Sequence, residues 1–597
     1  METKNRIFEY SASDNNRNIH KNTSQCEGTP GAGPLPPSRG QILSAGCLIA
    51  IAAGFAAVGG VASADSLLQQ VGVMQLQQLV PQLNGSGMGV QQVEASVSTT
   101  SDQYQPNPAN LGRSASEFTF TDFTGSNVPF SSASYSWHAE NVAGYFYGAG
   151  GVAPGVSHVT VSFVDTYAEF SVFVDAAPPA NSEVVNQSFA YVSEDLANVQ
   201  YIDNAWDNYA ASSNLLFVTA IGDGQTTSTS PASYINPPAD MYNGIAVGAY
   251  TGTETNGVFG PSTGSEASWV GPTWDGRSKP DLVAPGQWTS YTAPIVSGVA
   301  TLMVQAGSGT HLSAPVGLSA SDSSIANGSV TAYTTAATDI RTVKALLLNG
   351  AVKPTGWTNS YTVNSGTYTY NAVNANAVTP LDPRYGAGVV NAYNSYENLA
   401  GGEHNFTSST MQSIAALPSV TSAPTANFTG TFSQAASAAN PATITGWNLA
   451  SISASSTGNA VENYDFNLTG TSLNSWDLTA TLTWNKNYNA SGINHLMLFL
   501  LNSSGQRVAS STSMLDNVQQ ININPALGIN SLAPGQYDLA VEMLGGVNTI
   551  STSDTYALAW NFVDPTTVPE PTALAIFALG LSLLAMPKKR PAGIGGQ

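Results

Sequence analysis

The chain has 597 residues, of which only 9% are charged, with 38 acidic residues against 17 basic ones. Its length suits two to four domains. The low charge excludes a highly charged disordered chain, and the acidic balance excludes a nucleic-acid binder, which needs a basic surface. Two cysteines exclude a disulfide scaffold and a cysteine-ligated zinc site.

In chain order, the first feature is the apolar run Ile42 to Val61, with Arg39 before it and Ala62-Ser63-Ala64 after it. This pattern predicts a signal peptide over residues 1–64, cut after Ala64; a transmembrane anchor is the alternative. Cys26 and Cys47 both precede the cut, which leaves the mature chain without cysteine. Residues 65–84 form a short segment before the body.

Residues 85–400 alternate apolar runs with helix-like stretches. Strands are expected at Gly89–Ala95, His158–Phe163, Phe170–Val174, Val184–Ser188, Leu215–Ala220 and Gly244–Gly248. Helices are expected at His138–Gly148, Asp195–Ser212, Ala293–Gln305 and Asp339–Asn349. Alternation on this scale predicts an α/β fold, a doubly wound parallel sheet whose ligands sit at the carboxyl ends of the strands. Residues 401–424 read as a linker. Over 425–565 short alternating strands follow at Trp476–Trp484, His495–Leu501, Val518–Ile523, Tyr537–Met543 and Tyr556–Phe562, which predicts an antiparallel β-sandwich. The chain ends with Val568-Pro569-Glu570-Pro571, an apolar stretch from Thr572 to Met586, and Lys588-Lys589-Arg590. The apolar stretch is shorter than the ~20 residues of a typical membrane helix. The segments before residue 65 and after 567 hold 8 of the 17 basic residues and 5 of the 38 acidic ones; the remaining 9 and 33 give a net charge of -24. Such a surface suits solubility outside a cell.

A serine nucleophile needs a base within hydrogen-bond reach and a group that orients that base. The most informative run is Lys279-Pro280-Asp281-Leu282-Val283-Ala284-Pro285-Gly286, followed by Trp288-Thr289-Ser290-Tyr291-Thr292-Ala293-Pro294-Ile295-Val296-Ser297-Gly298. It places Ser290 at the start of an apolar helix, where free N–H groups favour developing negative charge. Two histidines lie between the cut and Ser290, His138 and His158. His138 opens His138-Ala139-Glu140-Asn141-Val142-Ala143-Gly144, with Gly151-Val152-Ala153-Pro154-Gly155 just after.

These blocks resemble the subtilisin-like serine proteases (subtilases), whose serine block reads K-P-D-x-x-A-P-G, then G-T-S-x-A-x-P-x-V-x-G. Trp288 stands for the first Gly of the second half, Thr292 for the Ala, and most of the loop between the halves is missing. The resemblance implies Ser290 as nucleophile. It implies His138 as general base, from the pattern H-G/A-T-x-V-A-G then G-V-A-P-G, and leaves His158 structural. The family's first strand ends in an Asp; Gly85-Ser86-Gly87-Met88-Gly89-Val90-Gln91-Gln92-Val93-Glu94 aligns with it and offers Glu94, with Asp102 and Asp122 as alternatives. Phe217-Val218-Thr219-Ala220-Ile221-Gly222-Asp223-Gly224 aligns with the block that carries the oxyanion Asn and puts Asp223 there. An Asp donates only when protonated, so activity would favour acid; the plainer reading of Asp223 is a turn residue. Val185-Asn186-Gln187-Ser188-Phe189-Ala190 resembles the substrate-binding strand and implies contacts from Ser188, Phe189 and Ala190. Asn243 to Ala249 and Tyr385 to Ala392 match two further blocks. Residues 65–84 are shorter than the usual inhibitory propeptide.

The tail resembles a PEP-CTERM sorting signal over residues 568–591, which implies processing by an exosortase-type machinery in a Gram-negative bacterium and contact with the membrane beforehand. The C-terminal module resembles β-sandwiches appended to secreted bacterial peptidases. The implied activity is a secreted or surface-tethered serine endopeptidase acting on polypeptide. The alternative is a catalytically inactive surface protein on the same scaffold, binding peptide or polysaccharide. No cofactor is implied; calcium suits the family and the acidity, but no loop names its ligands.

Overall fold

The computed structural model describes residues 64–97, 102–191, 196–223, 235–250, 254–255, 258–259, 268–308, 335–354, 357, 360–363, 366–369, 380–413, 442–470, 476–525, 531–546 and 550–564. The expected signal peptide up to Ser63, the sorting segment and residues 414–441 lie outside these. Among the described residues no helix is long and apolar enough to cross a membrane.

The first half is built on an eight-stranded sheet. Its strands are β1 (Gly89–Glu94), β2 (Phe118–Thr121), β3 (Asn127–Val128), β4 (His158–Phe163), β5 (Val184–Gln187), β6 (Leu216–Ala220), β7 (Ile245–Tyr250) and, after the ribbon β8 (Glu254–Thr255) and β9 (Val258–Phe259), β10 (Leu282–Pro285). The spatial order is β10-β7-β6-β5-β1-β4-β2-β3. Every pairing is parallel except β2–β3, which is antiparallel. Parallel strands buried on both faces read as unbroken apolar runs, and Leu216–Ala220 is buried throughout. β1 lies between β4 and β5, so its last residue, Glu94, reaches the carboxyl edge near the middle of the sheet.

The helices are α1 (Ala64–Gln70), α2 (Val73–Leu79), α3 (Trp137–Phe146), α4 (Val164–Tyr167), α5 (Leu196–Ser213), α6 (Thr289–Ser308), α7 (Ile340–Asn349) and α8 (Ala392–Ala400). α6 packs against α3 and strands β5, β6 and β7, and nearly every one of its residues is buried. An apolar helix of this kind belongs inside a protein. Gly298 lets it approach the loop after α3: a Cβ there would lie 2.5 Å from the Val152 Cβ.

Two expectations change, and one segment gains a place. Phe170–Val174 is not a strand; Ala168–Val172 is a π-helical turn continuing α4, with Ala168 and Val172 buried and Phe170 47% exposed. Burial repeats at helical spacing there rather than every second residue. The short segment 65–84 is built into the fold: α1 and α2 bury Val71, Val73 and Leu76 in the core of the first half, and Ala392 N–H donates to the Val71 carbonyl at 2.8 Å. Residues 401–424 are not only a linker. After the ribbon β11 (Ser360–Val363) and β12 (Gly366–Thr369), strand β13 (Ser408–Ser413) pairs antiparallel with Gly458–Asn463 of the second half.

The second half adds β14 (Thr445–Ser453), β15 (Gly458–Leu468), β16 (Asp477–Trp484), β17 (Leu496–Asn502), β18 (Arg507–Ser511), β19 (Val518–Ile523), β20 (Gly535–Met543) and β21 (Ser553–Val563). They form two antiparallel sheets, β13-β15-β20-β17-β18 and β14-β21-β16-β19. Alternation with period two sorts β16. Leu478, Ala480, Leu482 and Trp484 face the sandwich core, while Thr481 donates to Asn349 Oδ1 at 3.0 Å and Thr483 to the Arg341 carbonyl at 2.8 Å. Ala557 and Ala559 of β21 likewise join the core of the first half. The sandwich is therefore docked on α7 by its outer face.

Candidate active site

The carboxyl edge of the sheet collects the expected residues. α3 starts there because Ser136 caps it, accepting the Ala139 N–H at 3.1 Å. His138 thus sits in the first turn, beside the end of β1. Its Nδ1 is 2.9 Å from Glu94 Oε2, with Glu94 fully buried and the imidazole 18% exposed. Burial by itself lowers the imidazole pKa; the Glu94 charge and hydrogen bond, with Asp223 further off, outweigh it and raise it above the usual value. Glu94, not Asp102 or Asp122, meets the histidine: Asp102 is exposed, and Asp122 binds Thr124 and Ser126 in its own turn. His158 faces Thr119 Oγ1 at 3.1 Å, away from this edge.

Ser290 is the second residue of α6. Its helix carries Pro294, which has no N–H to give the Ser290 carbonyl four residues back. Ser188 fills the gap, donating from Oγ to that carbonyl at 2.9 Å. Asn186 Nδ2 donates to Ser188 Oγ at 3.1 Å, and Ser297 Oγ to Asn186 Oδ1 at 3.0 Å. The end of β5 and the start of α6 are thereby tied together, and Ser188 holds the Ser290 backbone. Ser290 Oγ itself lies 3.5 Å from the Ser188 carbonyl and is not hydrogen-bonded to His138. Catalytic hydrogen bonds are often long in unliganded sites and tighten on substrate binding.

Asp223 follows β6 through Gly222, whose φ of 113° suits glycine alone. Its Oδ1 accepts the Thr289 N–H at 2.7 Å, at the start of α6, and its carbonyl accepts Trp269 Nε1–H at 2.9 Å. Burial pushes its carboxyl up to about 6, against the pull of the Thr289 hydrogen bonds and of His138. The Ser290 N–H one residue on is left for a ligand. Of the other two expected contacts, Phe189 is 9% exposed and packs edge-on against Tyr191, so it belongs to the core; Ala190 is half-buried.

Other side chains were not anticipated from the sequence. Gln92 Nε2 donates to the Glu94 carboxylate at 2.8 Å. Tyr291 lies against His138 at 5.9 Å between ring centroids and against Tyr145 at 5.7 Å, while Trp137, 52% exposed, meets His138 edge-on at 5.9 Å. The Lys-Pro-Asp part of the serine block is structural. Buried Asp281 pairs with Lys279 at 2.6 Å and Lys344 at 3.1 Å and accepts the Ala246 N–H at 2.8 Å, binding β7, β10 and α7. Among the described residues no group of three or more His, Cys, Asp or Glu is placed to hold a metal ion, so no ligands can be named for calcium.

Residues 114–388 match the subtilase family, Peptidase S8. The chain therefore carries a subtilase-family domain with a subtilisin-like α/β fold, followed by antiparallel sheets. The match includes His138, Asp223 and Ser290; Glu94 lies before it, so its place in the site rests on the geometry. No curated protein matches the chain. Among solved structures it is similar to the self-cleaved protease domain of PatA (19% identity over 54% of this chain and 100% of that one, TM-score 0.28). It is also similar to the MycP3 protease from the type VII (ESX-3) secretion system (16%, 55% and 87%, TM-score 0.30). A third is the Clostridium perfringens CspB protease (14%, 56% and 99%, TM-score 0.34). At these scores they add nothing to the argument from the site itself.

Proposed function

We propose that the chain is a serine endopeptidase in which Ser290 attacks a peptide carbonyl and His138 takes the hydroxyl proton and returns it to the leaving amine. The observation that carries this reading is the buried Glu94–His138 pair at the sheet edge where α6 presents Ser290. Glu94 holds the imidazole with Nδ1–H toward the carboxylate, leaving Nε2 to act as base, and stabilises the imidazolium as it forms. The Ser290 N–H and a protonated Asp223 stabilise the oxyanion. With one carboxyl oxygen on the Thr289 N–H, Asp223 carries its proton on the other, and a carboxyl pushed up to about 6 keeps that proton in mildly acidic medium.

The substrate is a polypeptide, with Ser188 and Ala190 beside the bound strand. The reading includes export through the N-terminal segment, and surface tethering or exosortase-type processing through the Pro-Glu-Pro tail, outside a Gram-negative cell. The second reading, an inactive surface protein that binds peptide or polysaccharide, is favoured by the missing Ser290–His138 hydrogen bond. Digestion of an unstructured polypeptide by residues 65–567 between pH 4 and 8 separates the two. Fragments that vanish in Ser290→Ala support the peptidase; binding without fragments supports the scaffold.

A further inference from the structure

We propose that Gln92 is a positioning residue that fits a glutamate to the task of orienting His138; this rests on the peptidase reading. A glutamate has one more methylene than the aspartate of the family pattern, so its carboxylate has an extra torsion to fix. Here both oxygens are held. Oε2 faces His138 Nδ1 at 2.9 Å, and Oε1 accepts from Gln92 Nε2 at 2.8 Å. Gln92 stands two residues before Glu94 on β1, so strand alternation puts both side chains on one face. Val93 between them points to the apolar core.

The Gln92 amide is itself fully used. Its second N–H donates to the Ala139 carbonyl at 2.9 Å, next to His138 in α3. Its Oε1 accepts from the Tyr147 hydroxyl. A donor on the oxygen and two acceptors on the nitrogen fix which way the amide faces. Tyr147 is wholly buried, and its carbonyl accepts Arg113 Nη1–H at 2.9 Å, with Arg113 paired to Glu117 at 2.8 Å. A buried amide costs free energy unless all its hydrogen bonds are made. This one makes them to both parts of the acid–base pair: the carboxylate, and the helix turn that carries the imidazole.

Gln92→Leu keeps the bulk and removes the amide; Tyr147→Phe frees only the Gln92 oxygen. Two quantities are read: the rate of Ser290 labelling by a fluorophosphonate across pH, and the titration of the His138 imidazole by nitrogen-15 NMR, assigned with His138→Gln. Loss of a hydrogen bond to a charged group is expected to slow labelling at pH 7 roughly tenfold to hundredfold in Gln92→Leu. The His138 titration moves to lower pH, because a carboxylate with an unsatisfied oxygen turns away or takes a proton. Tyr147→Phe moves both in the same direction by less. A folded Gln92→Leu with labelling within about twofold of the parent, or with slower labelling and an unmoved His138 titration, overturns the proposal. If Gln92→Leu does not fold, the same two measurements on Tyr147→Phe decide. If the parent itself is never labelled, the peptidase reading fails, and the His138 titration alone still decides whether Gln92 positions the pair.

Discussion

Asp223→Asn is the most informative single change at the oxyanion site. The proposed mechanism needs His138 neutral and Asp223 protonated at the same time. Asp223 titrates at about 6, and His138 is held above its ordinary 6.5 by Glu94. Even if His138 titrated at 6.5 itself, each group would be in its required form in roughly a third of molecules near pH 6.25, so about one molecule in eight would have both. The raised histidine makes that fraction smaller. By pH 8 only about 1% of Asp223 keeps its proton. An Asn can still accept the Thr289 N–H through its oxygen while its NH2 donates at every pH. Asp223→Asn is therefore expected to convert a bell-shaped profile that peaks between the Asp223 and His138 titrations into one that rises to a plateau above the His138 titration, with at least tenfold more activity at pH 8. The assay is the initial rate of cleavage of an internally quenched peptide between pH 4 and 9. A variant that keeps the bell, or loses activity at every pH while still folded, would refute the role given to Asp223.

Two further changes test the acid and the foundation of the site. Glu94→Gln removes the charge that raises His138 and offers an amide where Nδ1–H needs an acceptor; kcat should fall by roughly 10³–10⁴-fold and the acid limb of the profile should move to lower pH, whereas an unchanged kcat would remove Glu94 from the triad. Asp281→Ala strands two buried ammonium groups and one backbone N–H and should cost about 3–5 kcal/mol in denaturant unfolding. In the parent, burial alone would raise the Asp281 carboxyl, but Lys279 and Lys344 outweigh it and hold it below the usual carboxylate value. Its contribution is then complete above the ordinary carboxylate pKa and is lost as pH falls through the lowered one, so parent and variant should converge in strong acid.

How much of this the sequence reveals depends on how local each feature is. His138, Ser290 and Asp223 sit in blocks whose spacing reflects one strand end or one helix start, and those local arrangements are the ones observed. Glu94 was legible as the end of a strand, but its contact with His138 depends on a helix that begins 43 residues later. Gln92 gave no signal, because its partners come from β1, α3 and the residue after α3. Phe170 looked like part of a strand because a short apolar run does not state its period. Strands β14 and β15 escaped notice for a related reason: Asn448, Asn459, Asn463 and Asp465 are buried polar residues that break the apolar pattern, with partners on other strands such as Tyr464 for the Asn448 amide and Glu542 for the Asn459 amide. The docked outer face of β16 consists of threonines, which read as solvent-facing until α7 covers them.

The central claim is that Ser290 is an activated nucleophile. Fluorophosphonate labelling of residues 65–567 across pH 4 to 8, with the modified residue located by mass spectrometry, tests it most directly. The account predicts a single adduct on Ser290, fastest between the Asp223 and His138 titrations, absent in Ser290→Ala and strongly slowed in His138→Ala. No adduct at any pH in a folded protein, or an adduct on another serine that survives Ser290→Ala, would contradict it.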